Sequence, residues 1–292
     1  MMYKDKKIVW IFLAPTLILV VGFLYYPFVL SIYNSFFNVK DLGGISKTYI
    51  GLGNYREMFR DRAIWTSLKN TLILTVAAVV FQAGLGLVLA LLVDSVRRGQ
   101  QFYRTVFFFP IVISATAIGL MFNLMYSYDY GMFNQLLMKM GKDKVLWLDE
   151  AKAMLMVSVP VIWQYVGFYF VIILTGITGI PKEIYESAAI DGVTGFKQVF
   201  YITIPLLSGV IKSCMILAIT GALKVFDLPW VIANKGAPSG KTYLLGTYQY
   251  NVVFNAARPG YGSAIAVLIV LLGVIISVAV NTLLTTEDDD GY

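Results

Sequence analysis

The chain has 292 residues, 58% of them hydrophobic and only 14% charged, with a mean hydropathy of +0.73. Soluble domains average about 45–50% apolar and about 25% charged residues, so a chain this poor in charge could hardly cover a water-facing surface; its long apolar runs make it a membrane protein. Histidine is absent and Cys214 is the single cysteine, which excludes histidine catalysis, a disulfide within the chain and any multi-cysteine metal site. A formal charge of +6 would suggest nucleic acid in a soluble protein, but here the basic residues lie scattered between apolar runs, so topology explains them and no nucleic-acid partner is expected.

A spanning helix needs about 20 mostly apolar residues. Six segments qualify, at about 8–32, 68–93, 102–126, 153–178, 204–226 and 261–284. The first follows Lys4, Lys6 and Lys7 and resembles a signal peptide in outline. It is longer than a signal core of about 7–15 residues and no persuasive small-residue cleavage site follows, so it is read as a retained helix. The fifth carries Lys212 and Lys224 near its ends, positions from which a lysine can reach the interface. Cys214 sits within this run as a small packed hydrophobe. The expected fold is an all-α membrane protein, a single domain over residues 1–292.

The lysines before the first helix and the basic turn at 94–104 (Arg97, Arg98, Arg104) favour a cytoplasmic N-terminus. Lys182 and Lys197 then also lie inside, although the outside connections hold the larger share of basic residues. Six crossings return the C-terminus, with its acidic tail at 287–290, to the same side. The connections after helices one, three and five are each roughly 25–35 residues and contain turn signals such as Gly43-Gly44 and Gly236-Ala237-Pro238.

The fourth connection, 180–207, reads IPKEIYESAAIDGVTGFKQVFYITIPLL. Pro181 suits a helix start, and Glu183 and Glu186 in the early turns suit the positive end of its dipole. Gly192 and Gly195 would end or bend it, and Pro205 would open the fifth spanning helix. The simplest reading is an amphipathic connector on lipid headgroups. Such helices are rich in Lys and Arg opposite bulky apolar residues, whereas this one is acidic first and then small: Ser187, Ala188 and Ala189. That pattern favours a protein contact.

This segment resembles the EAA loop of binding-protein-dependent ABC importer permeases, whose pattern is Glu-Ala-Ala, three residues, Gly, nine residues, Ile, any residue, Leu-Pro. The chain offers Glu186, Ser187 and Ala188, then Gly192, then Ile202, Ile204 and Pro205, with Ser187 and Ile204 as conservative departures. The resemblance covers nearly the whole chain and is closest to the sugar-permease branch that includes the maltose and glycerol-3-phosphate transporters, in its compact six-helix form. FLAPTLILVVGFLYYPFVLSIYNSF, NYREMFRD, FYRTVFFFPIVIS, WQYVGFYFVIILTGITGIPKEIYESAAIDG and LKVFDLPWVI carry it.

The resemblance implies a permease subunit of a bacterial inner-membrane importer for a sugar or oligosaccharide. It implies a second, different permease, two ABC ATPase subunits and an external sugar-binding protein, with lipid around the helices. ATP and Mg would sit on the ATPases, and this chain would bind no cofactor. The loop at about 181–205 would couple to an ATPase through Glu186, Ser187, Ala188, Ala189, Asp191 and Gly192. Resemblance to the maltose system puts the sugar among helices four to six. The candidates are Trp163, Gln164, Tyr165 and Phe168 on helix four, Thr220, Gly221 and Lys224 on helix five, and Asn123 on helix three. Each has a plainer role: Trp and Tyr mark interfaces, Gln164 can bond a neighbouring helix, and Lys224 can pair with Asp227 one helical turn on.

The stretch Gly236 to Thr242 resembles a phosphate loop, but three residues separate the glycines where four are needed, and no buried strand precedes it. An ion-driven carrier would carry carboxylates mid-helix and repeated halves, and neither is visible. A membrane enzyme would need a nucleophile and base, which the apolar segments lack.

Overall fold

The structure, a computed structural model, describes residues 6–284 apart from 42, 44, 45 and 97. Lys4, Gly44, Arg97 and the acidic stretch 287–290 lie outside the described residues. By internal contacts the chain forms two units, residues 6–62 with 249–271 and residues 63–248 with 272–284.

In the first unit, helix α1 (Val9–Asn34) has 26 residues. At 1.5 Å per residue it is about 39 Å long, more than the ~30 Å of hydrocarbon in a bilayer. None of its most apolar window is buried, and Trp10, Phe12 and Phe23 are all exposed. Its helix passes through a π turn at Val21–Tyr25, just before Pro27. The ring of Pro27 would otherwise press on the carbonyl four residues back, which the wider turn displaces. A hairpin follows, β1 (Phe37–Val39) against β2 (Lys47–Tyr49), antiparallel with Asn38 opposite Thr48. Helix α2 (Gly53–Arg60) pins it: buried Asn54 donates both amide hydrogens, to the carbonyls of Ser35 (2.8 Å) and Phe37 (3.0 Å). In the same unit Arg258 holds Glu57 through two bonds of 2.7 and 2.6 Å, and Tyr261 donates to Asp61 at 2.8 Å.

The second unit is built around α7 (Ala153–Thr178), whose bounds coincide with the fourth apolar run. Before it come α3 (Arg62–Asp94), α4 (Gln100–Val112), α5 (Ala115–Met125) and α6 (Met132–Lys139). After it come α8 (Lys182–Ile190), α9 (Ser208–Lys224) and α10 (Asp227–Ile232); α11 (Leu245–Tyr250) and α12 (Pro259–Leu284) are each divided between the two units, at 248 and at 271. Helix α7 packs on α3, α4, α9 and α10. The close approach of α4 requires Gly167, because a Cβ there would collide with the Phe107 carbonyl. Two apolar clusters fill this unit: Phe170, Ile173 and Leu174 with Cys214 and Ala218, and Leu74, Ile118 and Val157 with Leu228 and Ile232. Cys214 is fully buried there, packed as expected.

The third apolar run is not the single helix expected from it. Helices α4 and α5 meet at an angle of 89° across Ile113 and Ser114. The bend frees the Ile113 carbonyl, which accepts a hydrogen bond from the buried Gln164 amide at 3.3 Å. The fifth run also differs. Pro205 lies in a separate turn (Ile204–Leu206), and α9 starts after Leu207 and stops at Lys224. Among the described residues five helices are long and apolar enough to cross a membrane, and the bent pair counted as one makes six.

Two polar knots brace the connections. The Asn134 side chain, fully buried, bonds the carbonyls of Tyr128 and Val145 and accepts from Trp147 at 3.1 Å. The Asn70 amide bonds the carbonyls of Lys241 (2.7 Å) and Tyr243 (2.9 Å). Burial pushes the Tyr243 hydroxyl above its ordinary pKa. On the connection before α7, the backbone N–H and ammonium of Lys152 hold the Asp149 carboxyl below the usual carboxylate range.

Candidate functional site

The fourth connection forms α8, then a reversal. Val193 donates to the Ala188 carbonyl (2.8 Å) and Gly192 to the Ala189 carbonyl (3.1 Å), with Gly192 at φ +77°. These two bonds make a Schellman cap, which needs a residue in the left-handed region just past the helix. Glycine reaches it without steric cost. Apart from its chain neighbours, no described residue lies within 4 Å of where a Gly192 Cβ would point, so the constraint there is the backbone.

Of the predicted coupling residues, Glu186, Ser187, Ala189, Asp191 and Gly192 are exposed together along this helix and its cap. Ala188 faces inward, 7% exposed. The polar reading missed four large apolar side chains displayed by the same loop: Ile190 (87% exposed), Phe196 (85%), Phe200 and Tyr201. Their alternation with polar neighbours is irregular, so no periodic signal marked them. Behind the loop lies a groove of about 440 Å³, between Leu91, Asp94 and Ser95 at the end of α3 and Tyr185, Phe196 and Thr203. Tyr185 and Thr203 share a hydrogen bond of 3.3 Å along its loop-side wall. The loop is thus tied to the fifth span's entry and overhangs the end of the second.

A separate cavity of about 320 Å³ opens within the bundle of the second unit. Gln164, Tyr165 and Phe168 from α7 line it, as do Gly221 and Lys224 from α9. The structure therefore brings five of the eight candidate ligand residues together. Trp163 turns away to meet Phe122 edge-on at 5.8 Å. The Thr220 hydroxyl bonds carbonyls of its own helix, Ile216 at 2.9 Å and Leu217 at 3.1 Å. Asn123 donates to the Ile232 carbonyl at 2.9 Å, clipping α5 to α10. The cavity also takes in Gln82, Tyr169, Phe226 and Asp227. Gln82, a lone amide in an apolar run, was the one visible signal of these, since polar residues inside spans cluster at cavities. The plainer role offered for Lys224, a pair with Asp227, is not formed: the helix breaks between them at Val225 and Phe226, and no ion pair within 4.0 Å joins them.

Both helix breaks border this cavity, through Ile111 and Ala115 on one side and Val225 to Leu228 on the other. Mixed aromatic and polar lining suits a ligand with both apolar faces and hydroxyls.

Residues 82–286 match the model of the binding-protein-dependent transport system inner membrane component family. The chain belongs to this family. It is 35% identical to a Bacillus subtilis protein described as a probable ABC transporter permease, YurN, over 95% of this chain and 96% of that one. It is 30% identical to the sulfoquinovosyl glycerol transport system permease SmoG of Agrobacterium fabrum, over 97% of this chain and 92% of the relative. Its fold matches a chain of a bacterial ABC transporter involved in import of the acidic polysaccharide alginate, with a TM-score of 0.84 and 22% identity over 95% and 94% of the two chains. This all-α permease is accordingly an inner-membrane component of a binding-protein-dependent transport system, and the family match takes in the loop, both broken spans and all of the cavity lining.

Proposed function

We propose that the chain is a permease subunit of an ATP-driven importer, and that it passes a sugar or oligosaccharide from an external binding protein towards the cytoplasm. The observation that carries this is the exposed α8 with its Schellman cap, projecting Glu186, Ser187, Ala189 and Asp191 beside bare Ile190 and Phe196. Large exposed apolar side chains beside an acidic, small-faced helix favour a protein surface that covers them. An ATPase subunit is that partner, and the rigid cap at Gly192 lets motion of the ATPase reach the spans rather than dissipate in a flexible link. ATP and Mg sit on the ATPases, and this chain contributes no catalytic residue. The N- and C-termini and α8 lie on the cytoplasmic side. A second, different permease faces this chain.

Sugar as substrate rests on the cavity chemistry and on the names of the relatives. Aromatic faces of Tyr165 and Phe168 would stack on a ring, while Gln82 and Gln164 would meet hydroxyls. The test is uptake by proteoliposomes holding the full importer with its binding protein. Sugar accumulation should require internal or external ATP at the ATPase face and should survive a protonophore. Uptake that ignores ATP and collapses with the proton gradient would overturn the reading.

A further inference from the structure

Lys224 and Asp227 stand out as two charges at the edge of an apolar span that do not satisfy each other. Lys224 ends α9, Asp227 begins α10, and Val225 between them is extended, with φ −62° and ψ 128°. Both side chains are exposed, both line the 320 Å³ cavity, and neither makes a hydrogen bond or ion pair with any described residue. Charges in or beside a membrane span are costly and are kept where they face a cavity or a ligand.

The rest of the lining has a definite donor and acceptor balance. Gln82 spends its amide N–H on the Val161 carbonyl at 3.1 Å, and Gln164 spends its own on Ile113. Each keeps a second amide N–H, which donates, and a carbonyl oxygen, which accepts. Asp227 accepts only, and Lys224 donates only. The cavity carries no other charged side chain, so its lining is neutral in sum. A hydroxyl both donates and accepts, and can answer every one of these groups. A carboxylate or sulfonate accepts only. It would find Lys224 and the remaining amide N–H groups, but it would set its charge beside Asp227 and as a group could donate to neither amide oxygen.

We propose that Lys224 and Asp227 are the specificity-determining pair of this cavity, and that they select an uncharged sugar over an acidic one. The proposal rests on the cavity being the sugar site. It sets this chain apart from the similar alginate importer, whose substrate is an acidic polysaccharide.

The test uses the complete importer in proteoliposomes with its binding protein. The neutral probes are maltose, cellobiose, lactose and trehalose; the acidic probes are digalacturonate and an alginate disaccharide. Wild type should take up at least one neutral probe and neither acidic one. Lys224→Met and Asp227→Asn should each reduce that uptake roughly tenfold, the scale of one lost hydrogen bond to a charged group. Lys224→Arg should restore most of it. Asp227→Asn, now net positive, should in addition gain measurable uptake of an acidic probe. Monodisperse elution of each variant complex separates these effects from misfolding. Uptake of acidic probes alone by wild type would overturn the inference and leave the sugar reading standing, as would neutral uptake unchanged by both substitutions. Uptake of no sugar at all would overturn the sugar reading itself, and the inference with it.

Discussion

At the residue scale the position with the clearest physical requirement is Gly192. Its φ of +77° and the pair of cap bonds to Ala188 and Ala189 make a left-handed residue obligatory. A β-branched residue is strained there by about 1–2 kcal/mol, whereas asparagine tolerates the region. The space around the missing Cβ is empty, so a change at this site acts through the backbone or through a docked partner, not through repacking within the chain. Gly192→Val should therefore loosen the end of α8 and lower sugar-stimulated ATP hydrolysis of the assembled importer by about five- to thirtyfold, the rate equivalent of that strain. Gly192→Asn should retain most of it. Equal activity in both variants would mean that the cap geometry has no part in coupling. Ala189, exposed on the same helix, offers no such constraint and is expected to matter only through what touches it.

At the element scale the two broken spans decide how the cavity exists at all. A straight helix over 102–126 would leave the Ile113 carbonyl bonded within its own ladder, with Gln164 buried and lacking that partner. Instead the 89° break gives Gln164 its acceptor and puts Ile111 and Ala115 on the cavity wall. Gln164→Leu should orphan that carbonyl, at a cost of about 1–3 kcal/mol. The expected sign is faster amide hydrogen exchange across 111–118 with little change at the far end of α7. Unchanged exchange there would show that the break is held by packing alone.

The extent of each apolar run was readable because a run of apolar residues ends where polar ones begin, which is why 153–178 was placed to the residue. The breaks were not readable. Ile113-Ser114 and Val225-Phe226 carry no glycine or proline at the break itself, and hydropathy is blind to helix direction. Two prolines were the available hints: Pro110, three residues before the first break, and Pro229, which occupies the first turn of α10, where its missing N–H costs nothing. The helix over the fourth connection and its end at Gly192 were legible because they lie in residue identity and spacing: Pro181 at the start, Glu183 in the first turn and a glycine just past the last helical residue. Five of the eight ligand candidates reached the cavity; Trp163, Thr220 and Asn123 did not, because facing depends on helix rotation that a uniformly apolar run does not encode.

At the scale of the whole molecule, apolar helix faces are left uncovered among the described residues. Helix α1 has no buried residue in its most apolar window, and α12 exposes Leu271, Val274, Ile275 and Val278. Lipid can cover such faces as well as protein can, so exposure alone does not decide the assembly. The cavity and the loop argue further. At about 320 Å³ the cavity sits at the lower end of ligand pockets, near 300–1,000 Å³, and an oligosaccharide needs more wall than one chain supplies. The loop offers one α8, while the two ATPase subunits of the proposed importer would need two. A twofold pair of identical chains would meet both needs by placing two copies of Lys224 and Asp227 around one ligand, a symmetric site for a substrate that has no such symmetry. A different second permease avoids that duplication. Two differently tagged copies of this chain, expressed with its genomic neighbours, should therefore not purify together in detergent, while an ATPase and a second permease should come down with each. Gly192→Val should lose the ATPase and keep the second permease, because α8 and the membrane faces are separate surfaces. Recovery of both tags in one complex would establish a homodimer and remove the heterodimer from the reading, leaving the coupling assignment to be judged by whether the ATPase still depends on Gly192.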